Sequence, residues 1–140
     1  MSGAMRALVD DVLDCVALEC PEAYLAMQRA LGARRIGLAF RHESFSLAFA
    51  PAPAPAAEGW FSEQPIAIRT TARTLHDILM GERDPLDAIL ADELTVHAGA
   101  DDLVAAAEAG LLFVKGAARC TSLAPMLRRL KNLAEGEGES

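Results

Sequence analysis

Residues 66–99 read IAIRTTARTLHDILMGERDPLDAILADELTVHAG, and the rest of the chain is organised around them. Ile66 and Ile68 alternate with Ala67 and Arg69, the period of a half-buried strand. Leu75, Ile78 and Leu79 recur at i, i+3 and i+4, one face of a helix. Leu86, Ile89 and Leu90 repeat that spacing after a break. Gly81 suits the left-handed stop of the first helix. Asp84 suits the N-cap of the second, with Pro85 at its first position and Asp87 near its positive end. Leu94 and Val96 then return to period two. The predicted strand–helix–helix–strand unit carries an apolar surface that it cannot bury alone.

This run resembles the core signature of the sterol carrier protein 2 (SCP2) sterol-binding domain family. The family pattern is a strand, a helix ending in Leu-Leu-x-Gly, an acidic-Pro-Leu-x-Ala-[Ile/Leu] turn of helix, and a closing Gly-x-Leu-x-Val-x-Gly-Asp. Ile78, Leu79, Met80 and Gly81 fill the first block; Asp84, Pro85, Leu86, Ala88 and Ile89 fill the next; Leu94 and Val96 fit the last strand. Two positions depart from the pattern. Asp92 stands where the family has Gly, and Gly99 falls one place late, ahead of Ala100 and Asp101.

On the N-terminal side, Met5, Leu8, Val9, Val12, Leu13 and Val16 make one stripe of an amphipathic helix, with Asp10, Asp11 and Asp14 largely outside it. Pro21 ends that helix or begins the next, whose face continues through Tyr24, Met27 and Leu31 to a stop at Gly32. Such stripes are core or a subunit contact more often than a ligand site. Ile36, Leu38 and Phe40, then Phe45, Leu47 and Phe49, alternate on two strands of a hairpin around residues 41–44. The apolar face of that hairpin floors either a core or a lipid cavity. Residues 51–58, PAPAPAAE, cannot form a central strand because proline lacks a donor; an extended surface loop is predicted there. Trp60 and Phe61 follow as a short extra strand, a core anchor or the rim of a ligand mouth.

On the C-terminal side, a helix is predicted from Asp101 or Asp102, with Leu103, Ala107, Gly110 and Leu111 along one side, ending near Lys115–Gly116. A last amphipathic helix uses Leu123, Met126, Leu127 and Leu130, with Pro125 tolerated in its first turn. The Glu/Gly tail, residues 135–140, is predicted to be disordered. Residues 1–134 then make one domain.

Composition narrows the function. The chain has 140 residues, enough to bury a sizeable core without staples. It is 52% hydrophobic but only 5% aromatic, a balance rich in alanine and leucine that favours helices. No run is long enough to span a membrane, and the opening MSGAMRALVDD shows no basic region followed by an apolar core, so no secretory signal is expected. A net charge of −7 argues against binding a phosphate backbone. Arg34–Arg35 and Arg128–Arg129–Lys131 are the basic clusters, read as solvated faces and helix ends, or as contacts to an anionic lipid surface.

Three cysteines fit a reducing cytoplasm. Cys15 and Cys20, without a second ligand pair, are a poor zinc signal, and Cys120 reads as an inert thiol. No metal or cofactor is expected. His42, His76 and His97 fall in a turn, a helix and a strand; His76 and Asp77, adjacent on a helix, point about 100° apart and are not read as a dyad. No nucleophile elbow, zincin motif or phosphate loop occurs, so no catalysis is expected.

The resemblance implies an α+β fold with a mainly antiparallel sheet of about five strands, helices over one face and an apolar tunnel between. It also implies binding of a fatty acid, fatty acyl-CoA, isoprenoid or sterol-like lipid. The sheet would contribute Phe40, Phe45, Leu47, Ile66, Ile68 and Val96 to the tunnel wall, and the helices Leu75, Leu79, Leu90, Leu111 and Phe113. Arg69, Arg73 and His97 would orient the ligand at the mouth. The competing reading is a filled core in a structural or oligomerisation module acting through a partner. Transient contact with a membrane surface would use the basic clusters, and a homodimer would pair through the Met5–Val16 stripe or the terminal helix; nucleic acid is not an expected partner.

Overall fold

The computed structural model describes residues 3–41, 43–49, 54–58 and 66–139. Two helices come first, α1 (Ala4–Glu19) and α2 (Pro21–Leu31), followed by strands β1 (Arg35–Ala39), β2 (Ser44–Ala48), β3 (Ala54–Glu58) and β4 (Ile66–Arg69). Then come α3 (Ala72–Leu79), α4 (Pro85–Leu90), β5 (Thr95–Ala98), α5 (Ala100–Ala118) and α6 (Leu123–Glu139). The five strands form one sheet in the order β3-β2-β1-β4-β5. All neighbours run antiparallel except β1 and β4, which are parallel. No helix among the described residues is long and apolar enough to cross a membrane.

The register explains why the sheet has one apolar face. Leu47 pairs with Ile36, Ile36 with Ile66, and Ile66 with Ala98; one step along, Phe45, Leu38, Ile68 and Val96 line up in the same way. Opposed residues share a face and alternate along each strand, so these two rows lie on one side. Ser46, Gly37, Ala67 and His97 form a row on the other. Phe45 and Ile66 are fully buried in the core that also holds Leu8 and Val16 of α1, Leu31 of α2 and Leu130 of α6. Each such side chain contributes roughly 1.5–3 kcal/mol by leaving water.

Local chemistry places the ends. The hairpin closes where the Phe40 N–H donates to the Glu43 carbonyl at 2.7 Å. Glu43 also reaches across the fold: its carboxylate accepts from the Met5 and Arg6 N–H groups at 3.0 and 2.8 Å. That supplies the N-terminal cap which α1, led by Gly3, lacks from its own side chain. Thr71 caps α3 and Asp84 caps α4, the latter with Pro85 following as expected. Gly81 sits at φ 77° and ends α3 through a left-handed turn. Asp92, the departure from the family pattern, is the one described non-glycine residue at positive φ, 61°. Aspartate tolerates this left-handed position better than most residues.

Two expectations change. Ala54–Glu58, predicted as part of a surface loop, is an edge strand paired to β2 with a register irregularity between Ser46 and Ala48. Pro55 fits there because an edge strand leaves one row of backbone groups outside the ladder. Residues 135–139, predicted as disordered, continue α6, where adding a residue to an existing helix needs no new nucleus. Trp60 and Phe61 lie outside the described residues, as does His42.

The helical layer depends on close approach. α5 turns Ala105, Ala109, Gly116 and Ala117 inward. A Cβ built on Gly116 would lie 2.9 Å from Val16 Cγ1 and 3.1 Å from Ala23 Cβ, so α1, α2 and α5 meet at hydrogen-sized clearance. At the far end of α1, Glu19 holds the α5–α6 turn: Oε1 accepts from the Thr121 N–H at 2.8 Å and its hydroxyl at 2.6 Å, and Oε2 accepts from the Ser122 N–H at 3.4 Å. The Cys15 thiol, then these Thr121 donors, lower the Glu19 pKa from 4.5 to about 2.

Gly116→Ala should therefore lose about 1–3 kcal/mol of stability in urea titration; an unchanged midpoint would mean the three helices are further apart. A carboxylate held below its unfolded pKa stabilises above that pKa and loses the contribution as pH falls. Stability should thus decline as pH drops from 4.5 toward 2 through Glu19. Glu19→Gln, which keeps the amide oxygen as acceptor, should flatten that part of the profile when Tm is followed against pH.

Candidate functional site

α6 presents Leu123, Met126, Leu127 and Leu130 to Leu8, Val9 and Val12 of α1, Leu75 and Leu79 of α3, and Phe113 of α5, and these residues line a pocket. Every lining residue is apolar. α1 and α6 contribute their i, i+3, i+4 stripes, and α3 adds its own Leu75–Leu79 step, so three amphipathic helices converge. Its volume is ≈ 10 Å³, about room for one water molecule. Pockets for drug-sized ligands run to about 300–1,000 Å³. This is a narrow apolar seam with α6 along one side.

Of the eleven residues expected to line a tunnel, Leu75, Leu79 and Phe113 line this seam. Phe40, Phe45, Leu47 and Ile66 are buried in the core beneath the sheet, where the Phe40 and Phe45 rings stack with centroids 5.9 Å apart. Ile68 and Val96 are half-buried and opposed across β4 and β5. Leu90 and Leu111 are corrections: 76% and 57% exposed, they face outward. In α4 the fully buried position is Ala88, which turns Leu86 and Leu90 away. In α5 the approach to α2 and α1 selects the small-residue side and puts Leu103, Val104 and Leu111 in solvent. Arg69, Arg73 and His97 are exposed, and none lines the seam.

The contributions of α1 and α6 were missed as site residues, although both stripes are visible in the sequence. Periodicity marks which face of a helix is apolar but not which helix it meets.

Polar groups lie outside the seam. Arg34 pairs with Asp102 and Arg129 with Asp11, each at 2.6 Å, so both basic clusters include a charge engaged within the fold. His76 Nδ1 and Asp77 Oδ1 come to 3.2 Å, against the expectation that they diverge. Their Cβ directions differ by a helical step, but two rotatable bonds in each side chain close the gap. The three cysteines are free and buried. Cys15 Sγ donates to Glu19 Oε2 at 2.9 Å, and Cys120 Sγ donates to the Gly116 carbonyl at 3.3 Å. Burial, then the Glu19 hydrogen bond, pushes the Cys15 thiol up to about 12; burial raises Cys120 as well.

No protein-family model matches the sequence, and no curated protein does. Solved structures do share its architecture. A structure described as sterol carrier protein 2 superposes with a TM-score of 0.55 at 22% identity, covering 81% of this chain and 98% of its own. The chain has the SCP2-like fold. A UbiJ-SCP2 ubiquinone synthesis protein gives a TM-score of 0.57 at 16% identity, over 77% of this chain and 90% of that one. Sterol carrier protein 2 from Yarrowia lipolytica, in its apo form, gives 0.52 at 17% identity, over 81% and 88%. The α+β order and mainly antiparallel sheet anticipated from residues 66–99 are those of this SCP2-like fold.

If the seam and the outward faces are assigned correctly, two leucines should behave oppositely. Leu79→Ala should cost about 2–5 kcal/mol, whereas Leu90→Ala should stay within about 0.5 kcal/mol of the parent. Chemical denaturation of both variants reads the difference, and equal losses would put Leu90 inside the core.

Proposed function

We propose that this SCP2-like chain binds or carries one hydrophobic ligand without making or breaking bonds. The ligand classes are a fatty acid, fatty acyl-CoA, isoprenoid or sterol-like lipid, taken up in the seam beneath α6. The observation that carries the reading is an all-apolar pocket walled by four helices in a fold shared with sterol carrier proteins. One neighbour's description as a ubiquinone synthesis protein keeps isoprenoids among the candidates.

At ≈ 10 Å³ the seam holds no lipid as it stands, so uptake requires α6 to move. The polar ties on α6 are light. The Arg129–Asp11 pair is half exposed and worth about 0–1 kcal/mol, and Glu19 holds only the turn that precedes α6. Apolar contacts keep the helix down, and a lipid chain replaces them in kind, at roughly 25 cal/mol per Å² removed from water less the cost of ordering. The exposed apolar residues of α4 and α5, Leu86 and Leu90, Val104 and Leu111, suit transient contact with a membrane surface from which ligand is exchanged. Three buried free thiols suit a reducing compartment such as cytoplasm. The competing reading, a filled scaffold that works through a partner or as a homodimer, draws on the same small volume and exposed faces.

Native mass spectrometry of freshly purified protein, with organic extraction of whatever it carries, separates the two. A co-purifying lipid, or one equivalent of added fatty acid, is the expected result. Phe113→Trp, which narrows the pocket, should weaken uptake at least tenfold. A spectrum without mass gain from any fatty-acyl, isoprenoid or sterol probe would sink the carrier reading, and the same spectrum would show whether the scaffold is a dimer.

A further inference from the structure

Cys15 and Cys120 are 105 positions apart in sequence, yet the end of α1 and the α5–α6 turn bring them together beside Glu19. Cys15 Sγ, Cys120 Sγ and a Glu19 carboxylate oxygen all lie within 4.8 Å of one another. Cys15 and Glu19 share one helix face at i, i+4, and Cys120 completes a triangle from the neighbouring turn. Two buried sulfurs and one exposed carboxylate make a site closed on the protein side and open on the other. We propose that Cys15, Cys120 and Glu19 form a binding site for a thiophilic divalent cation of the zinc class, which ties the end of α1 to the α5–α6 turn.

Three features favour it. Once the two thiols are deprotonated the donor set is two sulfurs and one carboxylate, which suits zinc and not the oxygen-seeking magnesium or calcium ions. The carboxylate is already oriented: the Thr121 N–H and hydroxyl hold Oε1 at 2.8 and 2.6 Å, while Oε2 faces Cys15 Sγ at 2.9 Å. Outer hydrogen bonds of this kind fix a ligating carboxylate and are part of a working site. Glu19 is exposed, so solvent would supply the fourth tetrahedral ligand. As the ion binds, each thiol gives its proton to solvent, and Cys120 gives up its hydrogen bond to the Gly116 carbonyl. Cys20, also buried, is outside the triangle. The inference is independent of lipid binding.

The test uses tag-free, full-length protein kept reduced with a non-chelating phosphine. Titration with Cd²⁺ should give a thiolate-to-metal charge-transfer band that saturates at one equivalent. The band should be lost in Cys15→Ala and Cys120→Ala and kept in Cys20→Ala. Because buried-thiol variants can fail to fold, X-ray absorption of the zinc-loaded parent provides a second measurement. It should show two sulfurs at about 2.3 Å with oxygen ligands at about 2.0–2.2 Å. No saturable band from fully reduced protein, a band that depends on Cys20, or a zinc shell of oxygen and nitrogen alone would each overturn the site.

Discussion

The helical layer of this protein depends on how closely α5 can approach α1 and α2. At Gly116 there is no room for a methyl group between the α5 backbone and the side chains of Val16 and Ala23. That clearance is possible only where α5 presents small residues, so Ala105, Ala109, Gly116 and Ala117 face inward although the same helix carries larger apolar side chains. Close approach maximises dispersion contact along two backbones. The cost is that Leu103, Val104 and Leu111 are left in water.

That choice shapes the rest. With its small side turned to α2, α5 contributes Phe113 but not Leu111 to the seam, and α6 supplies the remaining cover. The sheet lies on the other side of the same core, its two apolar rows brought into line by the parallel pairing of β1 and β4. Charge has a smaller part. Glu43, in the hairpin turn, caps the start of α1, and Glu19 of α1 holds the α5–α6 turn just ahead of α6. These long-range hydrogen bonds connect the hairpin turn to the first helix and the first helix to the turn before the last. They position the helices, while burial holds them.

Glu19 has two tasks within a few ångströms. Both carboxylate oxygens accept from the α5–α6 turn, and Oε2 also faces a pair of thiols that the chain brings together from distant positions. The pair is invisible in the sequence, where Cys15 and Cys20 are the neighbours that invite comparison. The structure instead joins Cys15 to Cys120, because Cys20 lies past the end of α1 as its non-helical C-cap while the α5–α6 turn returns to the end of α1.

The sequence by itself determined the elements that rest on short-range chemistry. Ile66 and Ile68, the Leu75–Leu79 step, Gly81 at positive φ and the Asp84–Pro85 start all read directly, because caps, turns and periodicity are decided within a few residues. The hairpin of β1 and β2 was legible for the same reason, as was the SCP2-like order of elements. What only the tertiary structure decided is which apolar face meets which. Leu90 and Leu111 belong to well-formed stripes yet point to solvent, while the stripes of α1 and α6 line the seam. Hydrophobicity is non-directional. It marks surfaces to be buried, and there are more of them here than the core can take, so backbone clearance at glycine and alanine selects among them.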